Sequence, residues 1–201
     1  MDALPVEGQT KTGLTIFTIG HSTHVIEEFL DILKAHGIEF IIDVRTIPKS
    51  RHNPQYNSDA LAEALQKQTI GYEHVPGLGG LRHAKKDSIN TAWENASFRG
   101  FADYMQTEDF ERNLNYLIER AGGRPTAILC AEAVPWRCHR SLIADALLAR
   151  GITVMDIMSN TSAKAHEMTP WAQVTGKTIT YRADPSLGAR RGRSNRSRNV
   201  S

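Results

Sequence analysis

The sequence predicts an α/β fold of three layers, with a central, mainly parallel sheet and helices on both faces. Short apolar runs of strand length alternate with segments whose apolar residues recur at helical spacing. The run Ile38 to Val44 is nearly continuous in apolar character, as a strand covered on both faces must be. Helical segments of about a dozen residues separate most of the strands, which is the length of crossover that parallel neighbours require.

Residues 1–13 hold Pro5 and two glycines without periodicity and read as a flexible lead-in. Residues 14–187 are expected to form a single α/β domain, and residues 188–201 a disordered arginine-rich tail. Thr15 to Ile19 is the first strand, ending at Gly20-His21-Ser22-Thr23. Ile26, Phe29, Leu30 and Leu33 mark one face of a helix, with Ser22 or Thr23 as its cap and Gly37 just past its end. Ile38 to Val44 is the second strand, and the prolines of the Arg45–Pro54 segment indicate an ordered loop after it. Ser58 opens a helix with Leu61 and Leu65 inward, and Tyr72 to Val75 is a brief third strand. Pro76-Gly77-Leu78-Gly79-Gly80 is too glycine-rich for regular structure. Residues 81–96 are polar and read as an extended loop over the site.

Phe98, Phe101, Tyr104 and Met105 mark a short helix. Thr107 opens another, with Phe110, Leu114, Leu117 and Ile118 inward and Gly122-Gly123 at its end. Thr126 to Leu129 is a buried fourth strand arriving at Cys130. After a turn containing Pro135, the residues Leu142, Ile143, Ala146 and Leu147 recur at helical spacing, which places Cys138, His139 and Arg140 in the opening turn of a helix. Gly151 ends it. Ile152 to Ile157 is a fifth strand, residues 159–176 read as loop or weak helix, and Thr178 to Tyr181 as a sixth, edge strand.

Apolar residues make up 40% of the 201 and charged residues 23%, the composition of a globular domain, and charge interrupts every apolar run before it could span a bilayer. No membrane partner is expected. The first fifteen residues show no secretory hydrophobic segment, so cytoplasmic residence and reduced thiols are expected. The net charge of +2 conceals an asymmetry: Arg190, Arg191, Arg193, Arg196 and Arg198 crowd the C-terminus, and without them 19 basic residues face 22 acidic ones. Overall charge therefore gives no support to nucleic-acid binding by the body of the chain, although the tail can contact phosphates weakly.

The segment Cys130–Arg140 gathers two thiols, a carboxylate, an imidazole and two guanidiniums at one strand-to-helix junction, where α/β proteins bind ligands. Cys130 closes an apolar strand and suits core packing. Cys138, beside Arg137, His139 and Arg140 at a helix start, suits either a reactive thiolate or a packed polar position. Seven residues separate the cysteines, unlike the two-residue spacing of thioredoxin-like pairs and zinc knuckles. Cys130, Cys138, His139 and one of Glu132 or His21 could supply zinc ligands, but joint ligation by Cys138 and His139 looks awkward, because adjacent helical residues point apart, and no metal is assigned. Arg45, Arg51, Arg137 and Arg140 are candidates to surround an anion, with Ser22, Gly79 and Gly80 approaching the ligand. Alternatively, Arg140 pairs with Glu132 or Asp43 and ties loops together. His21, Asp43 and Glu132 are the candidate proton carriers.

Thr18-Ile19-Gly20-His21-Ser22, Asp43-Val44-Arg45 with Pro48 and Ser50-Arg51, Pro76 with Leu78-Gly79-Gly80, and Cys130-Ala131-Glu132 with Cys138-His139-Arg140 occur in this order. Over roughly residues 14–160 the chain resembles the DUF488 family. The resemblance implies a compact α/β domain in which these loops converge, and it implies no particular reaction. Where many members read Val-x-His-Ile in the last strand, this chain has Val154-Met155-Asp156-Ile157. A shorter likeness, Asp43-Val44-Arg45 after a strand, is to rhodanese-like domains.

Three functional readings remain open at this level. The first is an enzyme acting on a phosphate-bearing or nucleic-acid-related substrate through a Cys/His/Arg cleft, with Cys138 as nucleophile. The second is a non-catalytic module that binds a nucleotide or nucleic acid, and the third is a thiol redox or sulfur-handling protein. The sequence names no cofactor and sets no oligomeric state.

Overall fold

A computed structural model describes residues 13–183. The arginine-rich tail and nearly all of the expected lead-in lie outside the described residues. Strands are β1 (Thr15–Gly20), β2 (Phe40–Asp43), β3 (Gly71–His74), β4 (Thr126–Cys130), β5 (Thr153–Ser159) and β6 (Ser162–Ala165). They form one sheet in the order β3-β2-β4-β1-β5-β6, parallel except for β6, which runs antiparallel to β5. Helices α1 (Ile26–Ala35) and α2 (Ser58–Gln66) cover one face, while α3 (Ala96–Tyr104), α4 (Glu108–Ala121) and α5 (Arg140–Leu148) cover the other.

The two cores explain the apolar runs. Strand side chains alternate between faces, so Ile41 and Leu129 pack with Phe29, Leu33, Leu61 and Leu65, whereas Ile42 and Ile128 pack with Phe101, Leu114, Leu117 and Leu142. Both sets are buried, and a strand with two dry faces has little room for polar residues. Helix α5 is buried from Arg140 to Leu147 and correspondingly lacks a polar stripe.

Several sequence-derived boundaries hold. Thr107 caps α4 through its hydroxyl, which accepts the Phe110 N–H at 3.3 Å, and α2 begins at Ser58. Gly37, Gly123 and Gly151 follow α1, α4 and α5 with φ of 63°, 93° and 73°, values that glycine adopts without steric cost. Other boundaries are corrected. Neither Ser22 nor Thr23 caps α1, which starts after Val25 with Glu27 and Glu28 in its first turn facing the positive end of the helix dipole. The sixth strand of the sheet is β6, within the segment read as loop or weak helix. Thr178–Thr180 (β8) instead pairs with Gln173–Thr175 (β7) in a separate hairpin. These edge strands are short and mostly polar, so periodicity does not announce them.

Connectivity places the site. From β1 the chain leaves to α1 on one face, and from the adjacent β4 it leaves to α5 on the other. Strands β1 and β4 are in register up to Gly20 and Cys130. Their carboxyl ends therefore flank a topological switch point, where diverging loops open a crevice.

A buried polar network fastens the far edge. His166, just beyond β6, hydrogen-bonds Asp156 at 2.9 Å through Nδ1 and Asp145 at 3.2 Å through Nε2. Thr18 donates to Asp156 at 2.6 Å, and Tyr181 donates to Asp145 at 2.8 Å. Burial opposes protonation of His166, but the two carboxylates outweigh it and raise its pKa to about 9. The imidazolium thus stabilises the fold fully below the unfolded value of 6.5, and that contribution is lost as pH rises through 9. We expect the unfolding free energy to fall between these pH values by an amount on the order of 3 kcal/mol. His166→Gln protein should be less stable than wild type near pH 6 and should approach it above pH 9, as read from denaturant midpoints. A pH-independent gap between the two proteins would contradict this role.

Candidate functional site

Close approach of two backbones sets the floor of the crevice. A Cβ on Gly20 would overlap the Glu132 carbonyl oxygen, so only glycine lets the end of β1 pass beneath the loop after β4. The His21 N–H donates to the Cys130 carbonyl at 3.0 Å and the Ser22 N–H to the Ala131 carbonyl at 2.9 Å, which extends the pairing beyond the strands. Ser22 itself takes a left-handed φ of 49°.

After Glu132 the chain enters a 3-10 turn, Pro135–Arg137. Cys138 follows with φ −131° and ψ 141°, and α5 begins only at Arg140. The expected helix-start placement of Cys138 is therefore corrected: Pro135 favours the tight turn, and one extended residue then redirects the chain before the helix. The divergence expected of adjacent helical side chains does not arise. Cys130 Sγ lies 3.9 Å and Cys138 Sγ 3.7 Å from the same atom, His139 Nδ1. His139 Nε2 sits 3.2 Å from the Val44 carbonyl oxygen, which can only accept, so Nε2 carries a proton and Nδ1 is the ring nitrogen that faces both sulfurs. Gly80 makes room for this ring, since a Cβ there would collide with it.

The electrostatics favour a thiolate. Arg140 is completely buried and donates to the carbonyls of Glu132 and Ala133, the latter at 2.8 Å, while its Nε has no partner. Among the described residues no carboxylate pairs with it. A buried cation without a counter-charge is costly, and the adjacent thiols are the groups that can supply one. The Cys130 thiol donates to Cys138, and this bond, against the cost of burial and with help from His139 and Arg140, holds Cys138 well below the usual thiol range. The same bond, with burial, pushes Cys130 up. The Arg140 N–H also points at Cys138 Sγ from 3.5 Å.

A second cluster adjoins the first. Arg45 grips Asp43 with two prongs, Nε lying 2.9 and 3.1 Å from the two oxygens, and Tyr72 donates to the same carboxylate at 2.8 Å. Arg45 Nη1 donates to His21 Nε2 at 3.3 Å, while His21 Nδ1 donates to the Ser22 carbonyl at 2.9 Å. Both ring nitrogens of His21 are thus engaged, and the ring stacks on Tyr56 at 4.0 Å. Burial, then the Arg45 charge, lower its pKa to about 4.

Two adjoining hollows result. One, of about 390 Å³, is lined by both cysteines, His139, Arg45, Glu132 and Arg137, with Ile47, Leu81 and Phe98 around it. The other, of about 470 Å³, is lined by His21, Ser22, Arg45, Lys49, Ser50 and Glu132. Of the residues singled out from sequence, Cys138, Glu132, Arg45, Arg137 and Gly80 reach the first hollow and His21 and Ser22 the second. Asp43 and Arg140 lie buried behind them, Gly79 packs against Thr46, and Arg51 is exposed outside both linings. Sequence reasoning gave His139 no place among the site residues. The signal was its adjacency to Cys138, but its orientation depends on a carbonyl 95 positions away.

The family model described as domain of unknown function DUF488 matches residues 25–147, more than half of the chain. The chain belongs to the DUF488 family. The matched span carries Asp43, Arg45, both cysteines, His139 and Arg140, and it begins just after His21 and Ser22 of β1's loop. No curated protein and no solved structure matches this DUF488 chain. No helix among its described residues is long and apolar enough to cross a membrane.

The engagement of His21 has a direct readout. Its imidazole should remain neutral until pH falls to about 4 in a histidine NMR titration. Titration near 6.5 would show that the burial of the ring and its contact with Arg45 do not hold.

Proposed function

We propose that this DUF488 protein is a thiol-dependent enzyme acting on a small, phosphate-bearing substrate in the hollow above Cys138. The observation that carries the reading is the convergence of both cysteine sulfurs on one oriented imidazole nitrogen at the wall of that hollow. Nucleophilic catalysis needs a nucleophile, a neighbouring base and a group that orients the base. Cys138, His139 and the Val44 carbonyl have those relations. Cys130 is the less suited nucleophile, although both thiols border the hollow, because its proton is the one shared toward Cys138.

Arg45 and Arg137 are the cations assigned to the substrate's anionic group, Arg45 by a guanidinium that Asp43 and His21 already hold in place. Such preorganisation lowers the ordering cost of binding. Glu132, exposed where the two hollows meet, is the group assigned to exchange protons with a leaving group. Arg140 acts through the loop carbonyls and the thiolate rather than by contact with substrate. Adjacent free thiols also favour a second reading, reversible Cys130–Cys138 oxidation, which a mass-detected disulfide on mild oxidation would reveal.

In reduced, metal-free protein, iodoacetamide should label Cys138 at least about tenfold faster than Cys130, as resolved by peptide mass mapping. Inorganic phosphate should slow that labelling, and Arg45→Met should remove the protection. Equal, slow labelling of both thiols would overturn the nucleophile assignment. On a panel of phosphate esters and anhydrides, turnover should be abolished by Cys138→Ser and reduced by His139→Gln.

A further inference from the structure

We infer that Cys130 Sγ, Cys138 Sγ and His139 Nδ1 form a binding site for a zinc-class divalent metal ion, with three protein ligands and a fourth position open to the hollow. The three atoms lie within 4.8 Å of one another, and the two nitrogen-to-sulfur separations are 3.7 and 3.9 Å. Tetrahedral zinc, with Zn–S of about 2.3 Å and Zn–N of about 2.0 Å, sets its sulfur and nitrogen ligands about 3.5 Å apart. The two nitrogen–sulfur pairs therefore need a contraction of only a few tenths of an ångström to reach ligand spacing.

The surroundings are those of a ligand set. A metal-bound histidine typically donates its other N–H to a carbonyl or carboxylate, which fixes the tautomer and aims the lone pair. The Val44 carbonyl does this for His139. The Arg140 N–H orients one sulfur. Two thiolates and an imidazole form a soft set that favours zinc over magnesium or calcium. Structural zinc sites close with four protein ligands, whereas reactive ones keep a position for solvent or substrate. Here three donors border a hollow of about 390 Å³. Two thiolates neutralise the ion, so the buried Arg140 charge favours an anion as fourth ligand.

This inference concerns the centre of the proposed reaction but does not require a reaction there. A thiolate is both the nucleophile and the metal ligand, so the metal-bound and metal-free centres are alternative states of the same sulfurs. Reduced protein, stripped by a chelator and then supplied with zinc, should retain one equivalent of zinc per chain after gel filtration. Cobalt(II) in its place should show a sulfur-to-metal charge-transfer band and the intense visible bands of tetrahedral coordination. Cys130→Ser, Cys138→Ser and His139→Gln should each weaken zinc binding by at least about a hundredfold, and zinc should block alkylation of Cys138. Cobalt bound without the charge-transfer band would overturn the inference, as would metal retained equally by Cys138→Ser protein. Because the cobalt spectrum is read on the wild-type chain, the test survives a variant that fails to fold. A metal-free centre with fast Cys138 alkylation removes this inference and leaves the proposed function standing. Metal binding without thiol-dependent turnover does the reverse.

Discussion

The buried guanidinium of Arg140 is the constraint on which the site depends. It is fully enclosed at the start of α5, and its terminal nitrogens hold the carbonyls of Glu132 and Ala133. That grip fixes the loop after β4 over the end of β1, where the glycine at position 20 allows the two backbones to meet. A second consequence is electrostatic. With carbonyls as its partners, the guanidinium leaves a positive charge to be balanced within the crevice, and thiols can balance it by ionising. The path of the loop and the charge at this junction therefore follow from one residue.

The neighbouring cluster is organised differently. Arg45 has its carboxylate partner in Asp43, is backed by Tyr72, and places Nη1 against a neutral His21. Its charge is already matched by Asp43, and these contacts fix the direction of the guanidinium. A guanidinium held in this way lines both hollows in a fixed orientation. The two clusters divide the tasks: one carries ionisable sulfur, and the other an ordered hydrogen-bond donor. The switch point between β1 and β4 brings them together because the loops of β1, β2 and β4 all end there.

Much of the fold was legible because it rests on short-range pattern. Apolar runs of two-faced strands, the Thr107 cap and the glycines after three helices are local decisions, and the sequence displays them. Strand order was not legible, because β4 inserts between β2 and β1 through pairing that periodicity does not encode. Strands β6 and β7, Ser162–Ala165 and Gln173–Thr175, carry almost no apolar signal. At the site, residue types and their neighbourhood were legible, but conformation and roles were not. The extended Cys138 follows from the turn at Pro135, the orientation of His139 from Val44, and the burial of Arg140 from the packing of α5 against the sheet. Asp43 and His21 stood out in sequence as candidate proton carriers, but their contacts with Arg45 were not legible there.

The central claim is that the crevice stores a thiolate opposite a buried guanidinium. Thiolate absorbance in the ultraviolet measures this without a substrate. Reduced, metal-free protein at neutral pH should show one thiolate per chain, and Cys138→Ser protein should show none. Absence of thiolate absorbance until pH reaches the ordinary cysteine value of about 8.5 would contradict the account.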